Sequence, residues 1–168
     1  MSKPQSLFHR LLKLLPAAGL VVVGAAHAQA PGKPCAFKSA DLAKAFGLPF
    51  DEGKAETGIG PACTYTGKGK NNLLLWVGFV PASGPFESMR FMIGPAKTQF
   101  AAVPGDADQA RTVVHAPDVP NFPHIVYMRG GQLVQVHLRG IDYAGDPAGR
   151  RKQVADANAK LLALPRLP

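Results

Sequence analysis

Cysteine is scarce in this chain of 168 residues: there are two, too few for a four-thiolate zinc site or an iron-sulfur cluster. They are not spaced as Cys-x-x-Cys, so the usual device for a redox-active thiol is missing. Charge is also sparse at 18%, but 46% of residues are hydrophobic, which excludes a disordered polar chain and supplies the core of one ordinary domain. After residue 28 the serines are Ser39, Ser83 and Ser88. None lies in Gly-x-Ser-x-Gly or Ser-x-x-Lys, so nothing points to a serine nucleophile. The only glutamates are Glu52, Glu56 and Glu87; the first two, with Asp51, read as solvated loop charges rather than a glycosidase pair. No repeat of solenoid period and no low-complexity tract is present. Glycine and proline, by contrast, are plentiful at 18 and 16, which favours a loop-rich α+β or β-rich domain over a helical bundle.

The first residues read as an address. Lys3, Arg10 and Lys13 precede the apolar run Leu14 to Ala26 with no acid among them, the pattern of a signal peptide. The run falls short of the ~20 residues of a membrane-spanning helix, and none follows. Ala26-His27-Ala28 and Ala28-Gln29-Ala30 both fit the small-x-small cleavage pattern, but the second would leave Pro31 directly after the cut. Residues 1–28 are therefore expected to be removed, 29–34 to form a flexible lead, and 35–168 to form one domain, soluble in the periplasm or secreted. Gly32-Lys33-Pro34 before Cys35 is not a lipobox, which argues against a lipid anchor. Export brings Cys35 and Cys63 to an oxidising compartment as the only thiols, so one structural disulfide is expected. In the chain-entropy picture it contributes about 3.6 kcal/mol.

The charge of +8 falls by three on cleavage. In an exported protein the remaining excess suits solubility or peripheral contact with an anionic envelope surface; nucleic acid is not an expected partner. Gly67-Lys68-Gly69-Lys70 lacks the Ser or Thr and the helix of a phosphate loop, and reads as a basic turn. Lys68 and Lys70, with Arg150-Arg151-Lys152, are candidates for contact with anionic lipid or glycan.

Along the expected domain, Ser39 is positioned to cap a short helix through Leu42 and Phe46, with Gly47 ending it. Leu48 to Pro61 has little periodicity and reads as a loop. Strands are expected at Ala62–Thr66 and Asn72–Val80; the second is apolar on both faces, the mark of a central strand. Phe86 to Phe100 reads as a short helix interrupted at Gly94-Pro95, and Ala110 to His115 as a further strand. A Pro-rich link, Ala116 to Pro123, leads to a hairpin: His124–Arg129, Gly130-Gly131, Gln132–Arg139. Asp146 caps and Pro147 opens a last helix with Val154, Ala157, Leu161 and Leu164 on one side, stopped by Pro165. The fold class is α+β, an antiparallel sheet with N-terminal and C-terminal helices packed on it and one disulfide.

The two-glycine turn puts His124 opposite His137, on a face shared with Gln135 and Arg139, while Ile125, Tyr127, Val134, Val136 and Leu138 face the core. Facing imidazoles suit a divalent transition metal, with His115 or Asp118 as a third ligand. The plainer reading is a solvated histidine pair near a sheet edge, and Arg139 is a poor neighbour for a cation. Trp76 either lines a pocket or packs under the last helix, the ordinary fate of a core aromatic. Trp76, Lys68, Lys70 and Arg139 are the candidate ligand or partner surface.

Cys35, the helix ending Phe46-Gly47, Cys63-Thr64-Tyr65, Val103-Pro104-Gly105-Asp106-Ala107, the strand ending Arg129-Gly130 and the helix ending Leu161-Leu162-Ala163-Leu164-Pro165 resemble, in this order, a domain-of-unknown-function family of small secreted bacterial proteins, many of them like actinobacterial lipoproteins. The resemblance spans most of residues 35–165 and departs from the lipoproteins in lacking a lipobox. It implies an α+β sandwich with a disulfide-tied N-terminal helix and carries over no catalytic residue. The expected function is non-catalytic binding of a partner protein or envelope ligand. The alternatives are a metal-binding periplasmic protein using the cross-strand His pair, and a secreted inhibitor or immunity protein.

Overall fold

The structure is a computed structural model that describes residues 33, 35–57, 60–69, 72–115 and 121–167. The expected signal peptide over residues 1–28, and Lys70 and Asp118 among the candidate residues, lie outside the described residues. The chain folds as α+β. Helix α1 (Ser39–Phe46) is followed by strands β1 (Lys54–Thr57), β2 (Pro61–Thr66) and β3 (Leu74–Pro81). Then come the short helix α2 (Phe86–Met89), a 3₁₀ turn (Arg90–Met92), and strands β4 (Gln99–Ala102), β5 (Arg111–Val114), β6 (His124–Arg129) and β7 (Gln132–Arg139), before helix α3 (Pro147–Leu162). The strands form one seven-stranded sheet in the order β1-β2-β3-β7-β6-β5-β4, antiparallel at every pairing. It is two meanders, β1–β3 and β4–β7, joined where β3 and β7 pair along their whole lengths, from Leu74↔Arg139 to Pro81↔Gln132.

The interior strands follow the expected alternation. Leu75, Val77 and Phe79 of β3, with Ile125 and Tyr127 of β6 and Val134, Val136 and Leu138 of β7, face a core closed by Leu42 of α1 and Ala157 and Leu161 of α3. Gly130 and Gly131, at φ 57° and 71°, supply the two left-handed residues that a tight hairpin turn requires. Asp146 caps α3, accepting from Gly149 N at 2.7 Å. Cys35 and Cys63 form the disulfide, tying the segment before α1 to β2.

Three expectations are corrected. The segment Leu48–Pro61 is not all loop, because Lys54–Thr57 is a strand whose four residues are all exposed. With no buried face it has no hydrophobic period to betray it. Residues Phe86 to Phe100 are not one interrupted helix: α2 ends at Met89, and Gln99 and Phe100 open β4, whose only part-buried residue is Phe100. These two strands are the two edges of the sheet. Ser39 is not the cap of α1; Lys38 holds that position without a side-chain bond, and Ser39 Oγ instead donates to Asp51 O at 3.1 Å.

Two buried tyrosines hold the chain segments that flank the sheet. Tyr65 OH accepts from Phe37 N at 2.9 Å and Tyr127 OH from Leu167 N at 3.1 Å. The Val103–Asp106 turn joins the second clamp. Asp106 accepts from Asp108 N and Ala110 N through Oδ1 and from the Arg166 guanidinium at 2.7 Å through Oδ2, while Arg166 lies over the Tyr127 ring at 4.9 Å. The hydrogen bond from Arg166, ahead of the backbone donors, lowers the Asp106 pKa. The Pro-Gly-Asp turn is thus a structural lock, and Asp106→Ala is expected to cost about 2 kcal/mol in urea denaturation by leaving two backbone donors and Arg166 without their acceptor.

Candidate functional site

The described residues cover only part of the sheet face opposite α1 and α3. Phe86, Met89 and Ile93, from α2 and the turn after it, pack on Val113, Val126 and Leu133. Beyond them the sheet carries a row of register partners, Thr64↔Trp76↔His137↔His124, from β2 to β6. This row floors a cavity of about 540 Å³, walled by His115, Phe122, Leu74 and Ile93 and bordered by Arg139, Gln135 and Glu56.

Trp76 therefore lines a pocket. The expectation that it packs under the last helix is overturned by the alternation of β3, which sends Leu75 and Val77 to the helices and Trp76 to the other side. Its position depends on Gly78, where an added Cβ would stand 2.0 Å from the indole; the ring lies over that bare stretch of backbone. On the other side of Trp76 is a second cavity of about 560 Å³ lined by Pro61, Gly78, Phe79, Phe91 and Met92 among others, with Trp76, Gln135 and Glu56 bordering both. Gly78→Ala is expected to lift the indole from the sheet and shift the emission of this single tryptophan to longer wavelength with the fold retained; unchanged emission would contradict the packing.

The imidazoles form a stack around Phe122. Its ring centroid is 4.1 Å from that of His115, 5.9 Å from His124 and 5.4 Å from His137, and the Arg139 guanidinium lies 5.4 Å from it on the solvent side. His137 meets Trp76 edge to face at 4.7 Å. His124 is 4% exposed, not a solvated edge residue, and β6 is covered by β5 and β7. Asn158 of α3 anchors its backbone, accepting from His124 N at 2.9 Å, but among the described residues neither ring nitrogen of His124 has a partner, nor do His137 Nδ1 and His115 Nε2. Burial, then His137 and His115, push the His124 pKa well below the usual imidazole value; Gln135 opposes this weakly without forming a hydrogen bond to the ring. His137 is pushed down to about 3, first by burial, then by Arg139 and His115. At neutral pH the cluster is uncharged, and each ring offers one donor and one acceptor.

Of the candidates read from sequence, His115, His124, His137, Trp76 and Arg139 meet in this pocket. Lys68 does not line it and pairs with Asp51 at 2.7 Å, and Lys152 pairs with Asp156 at 2.6 Å. Although the three histidines are neighbours, among the described residues no group of three His, Cys, Asp or Glu side chains is arranged to hold a metal ion. Two contributors escaped the sequence reading. Phe122 sits in a Pro-rich link with no periodicity, and Glu56, exposed on the edge strand β1, accepts a hydrogen bond from Thr64 Oγ1. Among the described residues no helix is long and apolar enough to cross a membrane. No family model matches the chain, and no curated protein or solved structure does so either; the likeness to small secreted bacterial proteins rests on the short motifs alone.

Proposed function

We propose that this is an exported, non-catalytic binding protein that takes a small envelope ligand on the open face of its sheet. The observation that carries the reading is His124. A buried imidazole with neither nitrogen paired costs about 1–3 kcal/mol, and native folds retain such groups chiefly where something else completes them. Here it lines a cavity of about 540 Å³ among aromatic walls, the size and character of a small-molecule site. The signal-peptide pattern of residues 1–28 and the disulfide support a periplasmic or secreted location.

The test is a native mass spectrum of the protein purified without chelator from its own compartment, followed by the denatured mass. An organic adduct that is lost on denaturation and missing from His124→Phe supports the reading, as does a denatured mass beginning at Gln29. A bare protein whose Trp76 emission ignores envelope extract overturns it, and an adduct of metal mass replaces it with the His-pair metal reading.

A further inference from the structure

Resting on that reading of the open face, we infer that its ligand is a single-ring aromatic carboxylate bearing a polar ring substituent, bound with the carboxylate at Arg139, the ring between Trp76 and Phe122, and the substituent on His124. The walls select for flatness. Trp76, Phe122 and three imidazoles surround a space floored by a sheet, and aromatic faces and edges reward a ring more than a flexible chain of equal volume.

Charge fixes the orientation. Among the described residues Arg139 is the only Lys or Arg lining this cavity, and no carboxylate among them is paired with it. A guanidinium held beside an aromatic face presents its fork to a planar carboxylate. Glu56, the only acid lining the cavity among the described residues, comes from β1, three strands away from β7, and is already hydrogen-bonded by Thr64. A cationic ligand placed near Phe122 would meet Arg139 instead of a counter-ion.

Distance fixes the size. Arg139 lies two residues beyond His137 on β7, and His137 is the register partner of His124 on β6. That places the two backbones about 8 Å apart from strand rise and strand spacing, the reach of one ring with groups at its para positions. The deep end has a use for the second group: a ring hydroxyl can donate to one nitrogen of the neutral His124 imidazole or accept from the other.

Three probes test the assignment on the wild-type protein, read by the single indole N–H signal of Trp76 in an NMR titration. They are 4-hydroxybenzoate, 4-hydroxybenzamide, which keeps the shape and removes the charge, and benzoate, which removes the hydroxyl. The expected order has 4-hydroxybenzoate tightest, with about a tenfold loss for each of the others, the scale of one charge-assisted or buried hydrogen bond. Arg139→Gln, an exposed position at the end of β7, should fold normally and abolish the preference for acid over amide. Equal binding of acid and amide to the wild-type protein overturns the assignment of ligand class while leaving the proposed function standing. Equal binding of 4-hydroxybenzoate and benzoate removes His124 from it and overturns it as stated. Binding of none of the three also overturns it, and the envelope adduct then decides separately whether the open face binds a small molecule at all.

Discussion

Acidification from pH 6.5 to 4.5 is expected to destabilise the protein steeply, well before its carboxylates are protonated. His137 has a folded pKa pushed down to about 3 against a usual 6.5, and His124 is lowered too. Both are held neutral in the folded state, while the unfolded chain protonates them near the usual value. Their neutral burial is therefore without penalty above pH 6.5. As the pH falls below that, the unfolded state gains protons that the folded state refuses, and stability is lost progressively toward the folded pKa. His137 alone accounts for about 1.4 kcal/mol per pH unit in this window, with His124 acting in the same direction. The groups that surround them strengthen the effect: Arg139 and His115 oppose any positive charge, and Glu56 is engaged by Thr64 on the far side of Trp76. Asp106 and Asp146 have lowered pKa values, so their contributions are lost only at or below the ordinary aspartate range. Urea denaturation at half-unit pH steps checks this, with His137→Phe expected to flatten the slope. A stability that is level between pH 6.5 and 4.5 would mean the imidazoles are not buried in neutral form.

Loss of the Cys35–Cys63 bond is expected to lower stability by about 3.6 kcal/mol, the chain entropy of the 28-residue separation that it closes. The bond does more than restrict the unfolded chain. Cys63 lies in the core beside Tyr65, whose hydroxyl receives the Phe37 N–H, so release of Cys35 also frees the lead into α1. Replacing both cysteines by alanine, or reducing the oxidised protein, and comparing urea midpoints measures the effect. Backbone amides from Phe37 to Phe46 should lose hydrogen-exchange protection first, ahead of β3 and β7. A loss under about 1 kcal/mol would show that the unfolded state is compact without the bond.

How much of the molecule was legible depended on where each residue's partners lie. The His124–His137 pairing could be read because a two-glycine turn fixes the register of its own hairpin, and a one-residue slip would exchange core for solvent along both strands. The α3 signals, Asp146 and Pro147 at the start and Pro165 after the end, are equally local. The edge strands β1 and β4 were illegible for the opposite reason. With one neighbour and almost no buried side chain they carry no alternation, and what makes them strands is the exposed backbone of β2 and β5 beside them.

The amino-acid sequence by itself therefore determined the hairpin, the last helix, the central position of β3, the disulfide partners and the α+β class, since each follows from contacts between near neighbours or from the absence of any other partner. The tertiary structure decided which face Trp76 occupies, that Phe122 from an unpatterned link stacks among three histidines, that Glu56 borders the pocket, and that Lys68 stands apart from it. Those depend on β3 pairing with β7, two strands from different meanders that no local signal connects. That single pairing puts Trp76 against His137, and with it the two halves of the pocket.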